Sequence, residues 1–397
     1  MIEKLVIFLT LTSGILVIYH HLGYPLILRW IQKRRTQQVV KANHRQYTSS
    51  AEDTSLPTVT IIIPAFNEEQ WIADKIRNLA IVDYPTRLLK IIIACDGCED
   101  DTPAIATRTA NETECQHLTI EVRDFPYNRG KVIVINEVMQ DVESDLVALS
   151  DVSALISIDA LLIAAAHFED PTIGVLNGHY CLLNPGSDGE AAYWNYQGRI
   201  KAGEAALGST LGAHGAFYVF RRSLFSPLAA DTINDDFILP MKIVAAGYLA
   251  KYENRILALE QEQANTNMDH QRRRRIAAGN CQQLLRLKRL MLPGQGGVAF
   301  AFISGKGLRV LMPFLMIIAL IGCLMLAGDH LLFKALAALQ LLVYLLAGWH
   351  ILWQPSQSHR IIKTLAYLVS GHVAGLVGTL RYLGGFERGR WKKVGPG

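Results

Sequence analysis

The apolar residues of this 397-residue chain are gathered at its two ends, and no other feature restricts its fold as strongly. Leu5 to Leu28 is nearly uninterrupted apolar sequence, relieved by Thr10, Thr12, Ser13 and the His20–His21 pair. About 20 apolar residues suffice to cross a bilayer. A cleaved leader has a shorter core, about 7–15 residues, and a small-residue cleavage site. Residues 1–30 are therefore expected to be an uncleaved anchor, followed by a linker over 31–54. Val310–Ala327 and Leu331–Trp353 are two further spans, separated by Gly328, Asp329 and His330. Residues 361–385 are weaker, carrying Lys363, His372 and Arg381 beside Gly371, Gly375 and Gly378, small residues that let helices approach closely.

Basic residues orient the spans, because cytoplasmic flanks collect Lys and Arg. Arg29, Lys33, Arg34 and Arg35 follow the first span, against Lys4 before it. Between His270 and Arg309 stand nine Lys or Arg and no acid. Both flanks, and the chain between them, are expected in the cytoplasm. The tail over 386–397 is basic as well, so residues 361–385 are drawn as a weak membrane segment, re-entrant or lying along the interface. Residues 271–309 form a basic interfacial region, with an amphipathic helix expected over Gly279–Leu292. The His20–His21 pair is costly in lipid and is expected to face other spans or the interface.

This distribution explains averages that would otherwise mislead. A mean hydropathy of +0.20 and 19% charged residues are unusual for a water-soluble domain. So much apolar content without a short repeat excludes disorder, collagen and coiled coil. The net charge of +4 gives no support to a nucleic-acid partner, and six cysteines in so long a chain make no disulfide scaffold. Cys95 and Cys98 have the spacing of a redox or zinc pair, but no second pair accompanies them.

The middle, residues 55–270, alternates buried strands with helices. β-Branched runs over Thr58–Ile63, Leu88–Ala94, Leu118–Val122 and Asp145–Ser150 alternate with helical patterns, including Thr102–Ala110 and Ile158–Phe168. That alternation predicts an α/β domain with a mostly parallel sheet and helices on both faces. Ligands of such sheets lie beyond the C-terminal strand ends. Asn67, Glu68, Asp96 and Asp151 fall there. Any one of them reads as a turn or helix cap; three strands delivering polar groups to one edge read as a site.

Val59 to Glu69, with Cys95-Asp96-Gly97, Gly130-Lys131, Ser150 to Ser153, and Asp235-Asp236-Phe237 followed by Gly247-Tyr248, resembles the membrane-bound family 2 inverting glycosyltransferases of the GT-A fold. Cellulose and hyaluronan synthases and shorter bacterial exopolysaccharide enzymes belong to that branch, and the resemblance covers nearly the whole chain. It implies N- and C-terminal transmembrane helices around a nucleotide-sugar domain in a multi-pass protein of the inner membrane. It also implies that Pro64, Ala65, Asn67, Glu68 and Asp96 hold the nucleoside of a UDP-sugar. Lys131 follows a glycine at a helix start, where a diphosphate meets backbone N–H groups and a cation; it reads equally as a solvated lysine. Asp151 is the metal candidate, for Mg²⁺ or Mn²⁺. The family's second metal carboxylate is replaced here by Ser153, which makes metal use less certain from the motif alone.

By the same resemblance Asp236 is the base that takes the acceptor's proton. Adjacent carboxylates point to different sides, so only one is expected to face the sugar, and Asp235 can instead cap the helix beginning near Phe237. Gln271 and Arg274 match a QxxRW motif whose Trp position is Arg275 here, and Arg274 would contact the diphosphate. In polymer synthases that Trp stacks the acceptor sugar, so its loss argues against a long pyranose polymer. His214 reads equally as a neutral hydrogen-bonding residue or a catalytic one, and Tyr193 to Tyr196 as packing or acceptor stacking. The resulting expectation is transfer from a UDP-sugar to a lipid-linked or growing polysaccharide acceptor at the cytoplasmic membrane face. Two alternatives stand beside it: a processive synthase, and an inactive subunit of a polysaccharide export complex with export proteins as partners.

Overall fold

The computed structural model describes residues 1–35, 40, 47–185, 188–263, 266–353 and 359–387. Most of the expected linker and the basic tail from Arg388 lie outside the described residues. The strands are β1 (Val59–Ala65), β2 (Leu89–Asp96), β3 (Thr119–Phe125), β4 (Leu146–Leu149), β5 (Ala154–Ile156), β6 (Ile173–Leu182), β7 (Tyr218–Arg221) and β8 (Leu249–Glu260). The first helices are α1 (Ile2–Ile18), α2 (Tyr24–Arg34), α3 (Ile72–Ala80), α4 (Thr102–Ala110), α5 (Lys131–Val138), α6 (Ala160–His167) and α7 (Asp188–Leu207). After them come α8 (Asp235–Ala245), α9 (Thr266–Arg286), α10 (Gly297–Ala301), α11 (Leu308–Leu326), α12 (Leu331–Trp353) and α13 (Arg360–Leu383).

One eight-stranded sheet, in the order β3-β2-β1-β4-β7-β6-β8-β5, carries the domain. The β-branched runs make its parallel half: β2 and β4 flank β1, and β3 flanks β2. Every residue of β1 is buried, as a parallel strand covered by helices on both faces must be. The sheet then turns mixed, because β7 enters antiparallel between β4 and β6, and β5 closes antiparallel on β8. β6 and β8 pair parallel, so the mostly parallel expectation holds, with β7 and β5 the reversed strands. Two hydrophobic clusters lie on opposite faces, one around Ile61 and Ile63 and the other around Ile62 and Ile92.

At the ends of the chain the pattern is inverted. In α1, Thr10 and Ser13 are buried while Phe8, Leu9 and Ile15 are exposed. Thr10 meets α11 where Gly322 leaves no room for a side chain, since a Cβ there would overlap the Thr10 hydroxyl. Polar and small residues inward with apolar residues outward is the arrangement of helices solvated by lipid. Among the described residues, four helical segments are long and apolar enough to cross a membrane: Ile2–Arg34, Gly297–Leu326, Leu331–Trp353 and Arg360–Leu383. His20 and His21 do face other spans, through Ser304 and His372.

Two expectations change here. The amphipathic helix placed over Gly279–Leu292 is instead the end of α9, which stops at Arg286. Leu287 and Leu290 turn inward and join the core beneath the sheet. Residues 361–383 belong to the continuous helix α13, which lies on α9, so one unbroken helix replaces the re-entrant drawing. Of its three glycines, Gly378 makes the close approach, where a Cβ would overlap the Arg274 carbonyl; a Cβ at Gly371 or Gly375 would meet nothing within 4 Å among the described residues.

Ile63 is fully buried in β1, one residue before Pro64. Ile63→Ala should cost about 2–5 kcal/mol of domain stability, read as a lowered denaturant midpoint of the purified protein.

Candidate functional site

A cavity of about 770 Å³ opens beyond the strand ends, and its walls include side chains of α2, α7, α8 and α9 and of the turn before α11. Its charged centre is assembled from three distant segments. Lys131 opens α5 after Gly130, whose φ of +96° suits glycine. Its ammonium donates to Asp151 Oδ1 at 2.7 Å and lies 3.7 Å from Asp235 Oδ2. Burial alone would lower the Lys131 ammonium, but the carboxylates of Asp151, Asp235 and Asp236 hold it above its ordinary value. Burial likewise acts to raise Asp151, and Lys131 overcomes it, keeping that carboxyl low.

Asp236 behaves differently. Burial, then the neighbouring Asp235, pushes its carboxyl up to about 6 despite Lys131. A carboxylate raised that far is suited to taking a proton near neutral pH. Asp235 does not cap α8 as expected: Asn234 occupies the cap position, and Asp235 is the first helical residue. Both carboxylates line the cavity, since it wraps around the first turn of the helix. Asp235 Oδ2 is buried without a hydrogen bond among the described residues. That orphaned oxygen, beside three carboxylates of which Lys131 directly contacts two, suits a further cation, although Arg272 and Arg275 also act on these acids. No group of three or more metal-ligating side chains is preassembled among the described residues, so oxygens of a ligand would have to complete a cation's shell.

Of the residues singled out in the sequence, Pro64, Glu68, Lys131, Asp151, Asp236, Gln271 and Arg274 line this cavity. Ala65, Asn67 and Asp96 stand behind its wall. Ala65 is fully buried in β1. Asn67 Oδ1 accepts from the Glu99 N–H, with the Asn67 backbone at φ +55°. Asp96 is wholly buried, and its carboxylate accepts from the N–H groups of Arg129 and Gly130 at 2.7–3.1 Å. In this state Asp96 fixes the loop that presents Lys131. Arg274 lies 3.4 Å from Glu387, which also receives Arg381, so the end of α13 closes this side of the cavity. Burial lowers His214 to about 3, leaving a neutral imidazole that stacks on Tyr180 and accepts from the Ala216 N–H.

Sequence reading missed several groups. Ser153 gives its hydroxyl to Glu260, which ends β8 and lines the cavity. Lys75 lies buried behind Asp151, donating to Ser150 Oγ and the Ala154 carbonyl. Burial lowers its ammonium to about 7, and Asp151 and Glu260 pull against that shift. Arg275, at the family's Trp position, lines the cavity. Glu260 could have been found by the strand-end rule that found Asp96 and Asp151; Lys75 carries no signal, being one lysine in an amphipathic helix.

Residues 60–228 match the family described as Glycosyl transferase family 2. The chain is 27% identical over 271 residues to a beta-monoglucosyldiacylglycerol synthase of Trichormus variabilis, covering 65% of this chain and 56% of that one. It is 24% identical over 225 residues to a poly-beta-1,6-N-acetyl-D-glucosamine synthase of Staphylococcus epidermidis, covering 55% of this chain and 53% of that one. The chain thus spans about half the length of the curated relatives it matches. Among solved structures, the mannosyltransferase PcManGT of Pyrobaculum calidifontis, in complex with GDP-Man and Mn²⁺, shares the fold with a TM-score of 0.70 at 22% identity. That match covers 93% of this chain and 99% of the other.

Removing the ammonium should expose the mutual repulsion of the acids. Lys131→Met is expected to cost about 3 kcal/mol or less, since Asp151 keeps 34% of its side chain exposed. Asp151→Asn added to it should restore part of the loss in thermal unfolding.

Proposed function

Starting from the glycosyl transferase family 2 domain that residues 60–228 form, we propose that this chain moves a sugar from a UDP-sugar, with inversion, to a lipid-linked or growing polysaccharide acceptor at the cytoplasmic face of the inner membrane. The observation that carries the reading is the division of labour among neighbouring carboxylates: Asp151 held ionised by Lys131, Asp236 raised to about 6. Pairs of carboxyls pushed apart in this way mark separate roles in one reaction.

In the proposed step the acceptor hydroxyl oxygen attacks the anomeric carbon while the bond from that carbon to the diphosphate oxygen breaks. The hydroxyl proton passes to Asp236, and the electron pair of the broken bond leaves with the nucleoside diphosphate. Pro64 and Glu68 line the donor end, and Lys131 neutralises the leaving diphosphate. Asp151 would hold a divalent cation there, which supplies further charge neutralisation when bound. Gln271 and Arg274 complete the wall. Basic residues on both flanks of the domain support the cytoplasmic placement. Arg275 in the cavity wall disfavours a stacked polymer and so a processive synthase, and the full set of Asp151, Asp235 and Asp236 disfavours an inactive subunit.

The test is release of UDP by the purified chain, in nanodiscs with Mn²⁺, from a panel of UDP-sugars. Asp236→Asn should lower turnover about 10²–10⁴-fold, and equal turnover in that variant would refute the base assignment. The pH profile is a second check. Asp236 is raised, so its working ionised form is lost as pH falls through about 6. Turnover should then drop about tenfold per pH unit below that value.

A further inference from the structure

The far end of the cavity is cationic and is built from membrane helices. His20 and Tyr24 line it from the Ile2–Arg34 segment, and Gly305, Lys306 and Arg309 from the Gly297–Leu326 segment. Both segments widen into π-helical turns at this level, Tyr19–Gly23 in one and Phe302–Gly307 in the other. The two bulges meet: Tyr19 Oη lies 2.8 Å from Ser304 Oγ, and His20 Nδ1 lies 2.9 Å from the Ser304 carbonyl. Paired π-bulges are costly irregularities that gather at functional sites. Lys306 and Arg309 sit on and just after the second bulge.

Lys201, from α7, joins them. It donates to the carbonyls of Leu211 and Gly212, and the next residue, Ala213, donates its N–H to the Asp236 carbonyl at 2.7 Å. Lys306 Nζ lies 4.2 Å over the ring of Phe237, the residue after Asp236. Two of the three cations are thus tied to the first turn of the helix that carries the base. None of the three forms an ion pair among the described residues. Two acids act on these cations, Asp236 and Glu204; Glu204 accepts from Tyr24 Oη and the Leu211 N–H, and burial raises both carboxyls, weakening them as counter-ions. The same cavity is also lined by Asn280, whose Oδ1 has no partner among the described residues, and by Gln283, whose side-chain amide is wholly buried with neither polar atom bonded among them. Half-buried cations and unused amide groups facing an open cavity call for a polar, negatively charged ligand.

Resting on the glycosyltransferase reading, we propose that the acceptor is a lipid whose headgroup carries a phosphate. The phosphate seats on Lys201, Lys306 and Arg309, the alkyl chain leaves between the two bulged helices, and the acceptor hydroxyl is presented to Asp236. Free phosphate shares the headgroup's chemistry but lacks the chain that this wall is placed to receive. Neutral diacylglycerol, the acceptor type suggested by one relative's name, would leave the three cations unmatched.

The full chain in neutral-lipid nanodiscs is titrated with tetradecyl phosphate, tetradecanol and inorganic phosphate, with bound ligand counted by native mass spectrometry and UDP binding measured alongside. Tetradecyl phosphate should bind well ahead of the other two. Lys201→Gln and Lys306→Gln should each weaken it about tenfold, while Lys201→Arg and Lys306→Arg retain it and all four variants still bind UDP. Arginine variants that bind like wild type show that the glutamine variants lost charge rather than fold. Equal binding of tetradecanol or inorganic phosphate, or unchanged affinity in both glutamine variants, overturns the proposal. A wild type that binds tetradecyl phosphate but no UDP would sink the transferase reading and leave the cationic seat standing.

Discussion

One buried ammonium organises the charged centre of the cavity. Lys131 stands between Asp151, after β4, and Asp235, at the start of α8. Without it, three acids would face one another with only the guanidiniums of Arg272 and Arg275 to offset them, and the ends of these elements would repel one another. With it, Asp151 stays ionised while Asp236, further from the ammonium and next to another acid, rises. The lysine depends in turn on the loop before it, which Asp96 fastens through the N–H groups of Arg129 and Gly130. A residue read as a ligand contact is thus, in this state, the clasp of the loop that carries the cation.

The second constraint is continuity between domain and membrane. Gly203 of α7 admits the Leu28 side chain of α2, because a Cβ there would lie 2.7 Å from it. Tyr24 reaches Glu204 one residue later in α7. These contacts place the helix bearing Lys201 against a membrane-type helix, so the cavity runs from the strand ends to the apolar segments without a gap. The end of α13 closes another side through Glu387, which holds Arg274 and Arg381 together. An acceptor anchored in lipid could reach Asp236 without leaving the membrane surface.

Much of this was legible in the sequence, for identifiable reasons. The parallel half of the sheet announced itself because buried parallel strands are unbroken β-branched runs, as in Val59–Ile63, and because its polar residues crowd the strand ends. The mixed half, where β7 and β5 are reversed and β8 pairs parallel with β6, was hidden. β8 mixes Lys251, Glu253, Arg255 and Glu260 with apolar residues, so its pattern reads as neither face of a sheet. Lys306 and Arg309 were visible, but only as charges that orient a span; their role at the cavity depends on Lys201, about a hundred residues earlier, arriving beside them. The cap assigned to Asp235 failed by one residue because Asn234 takes that position. Leu287 and Leu290 looked membrane-facing by spacing, yet the chain turns after Arg286 and buries both.

The central claim is that Asp236 deprotonates an acceptor that attacks opposite the leaving diphosphate. The most direct measurement is the anomeric configuration of the first product formed from an α-linked UDP-sugar, read by NMR. A β-linked product is predicted, because in-line attack inverts the carbon; an α-linked product would contradict the account.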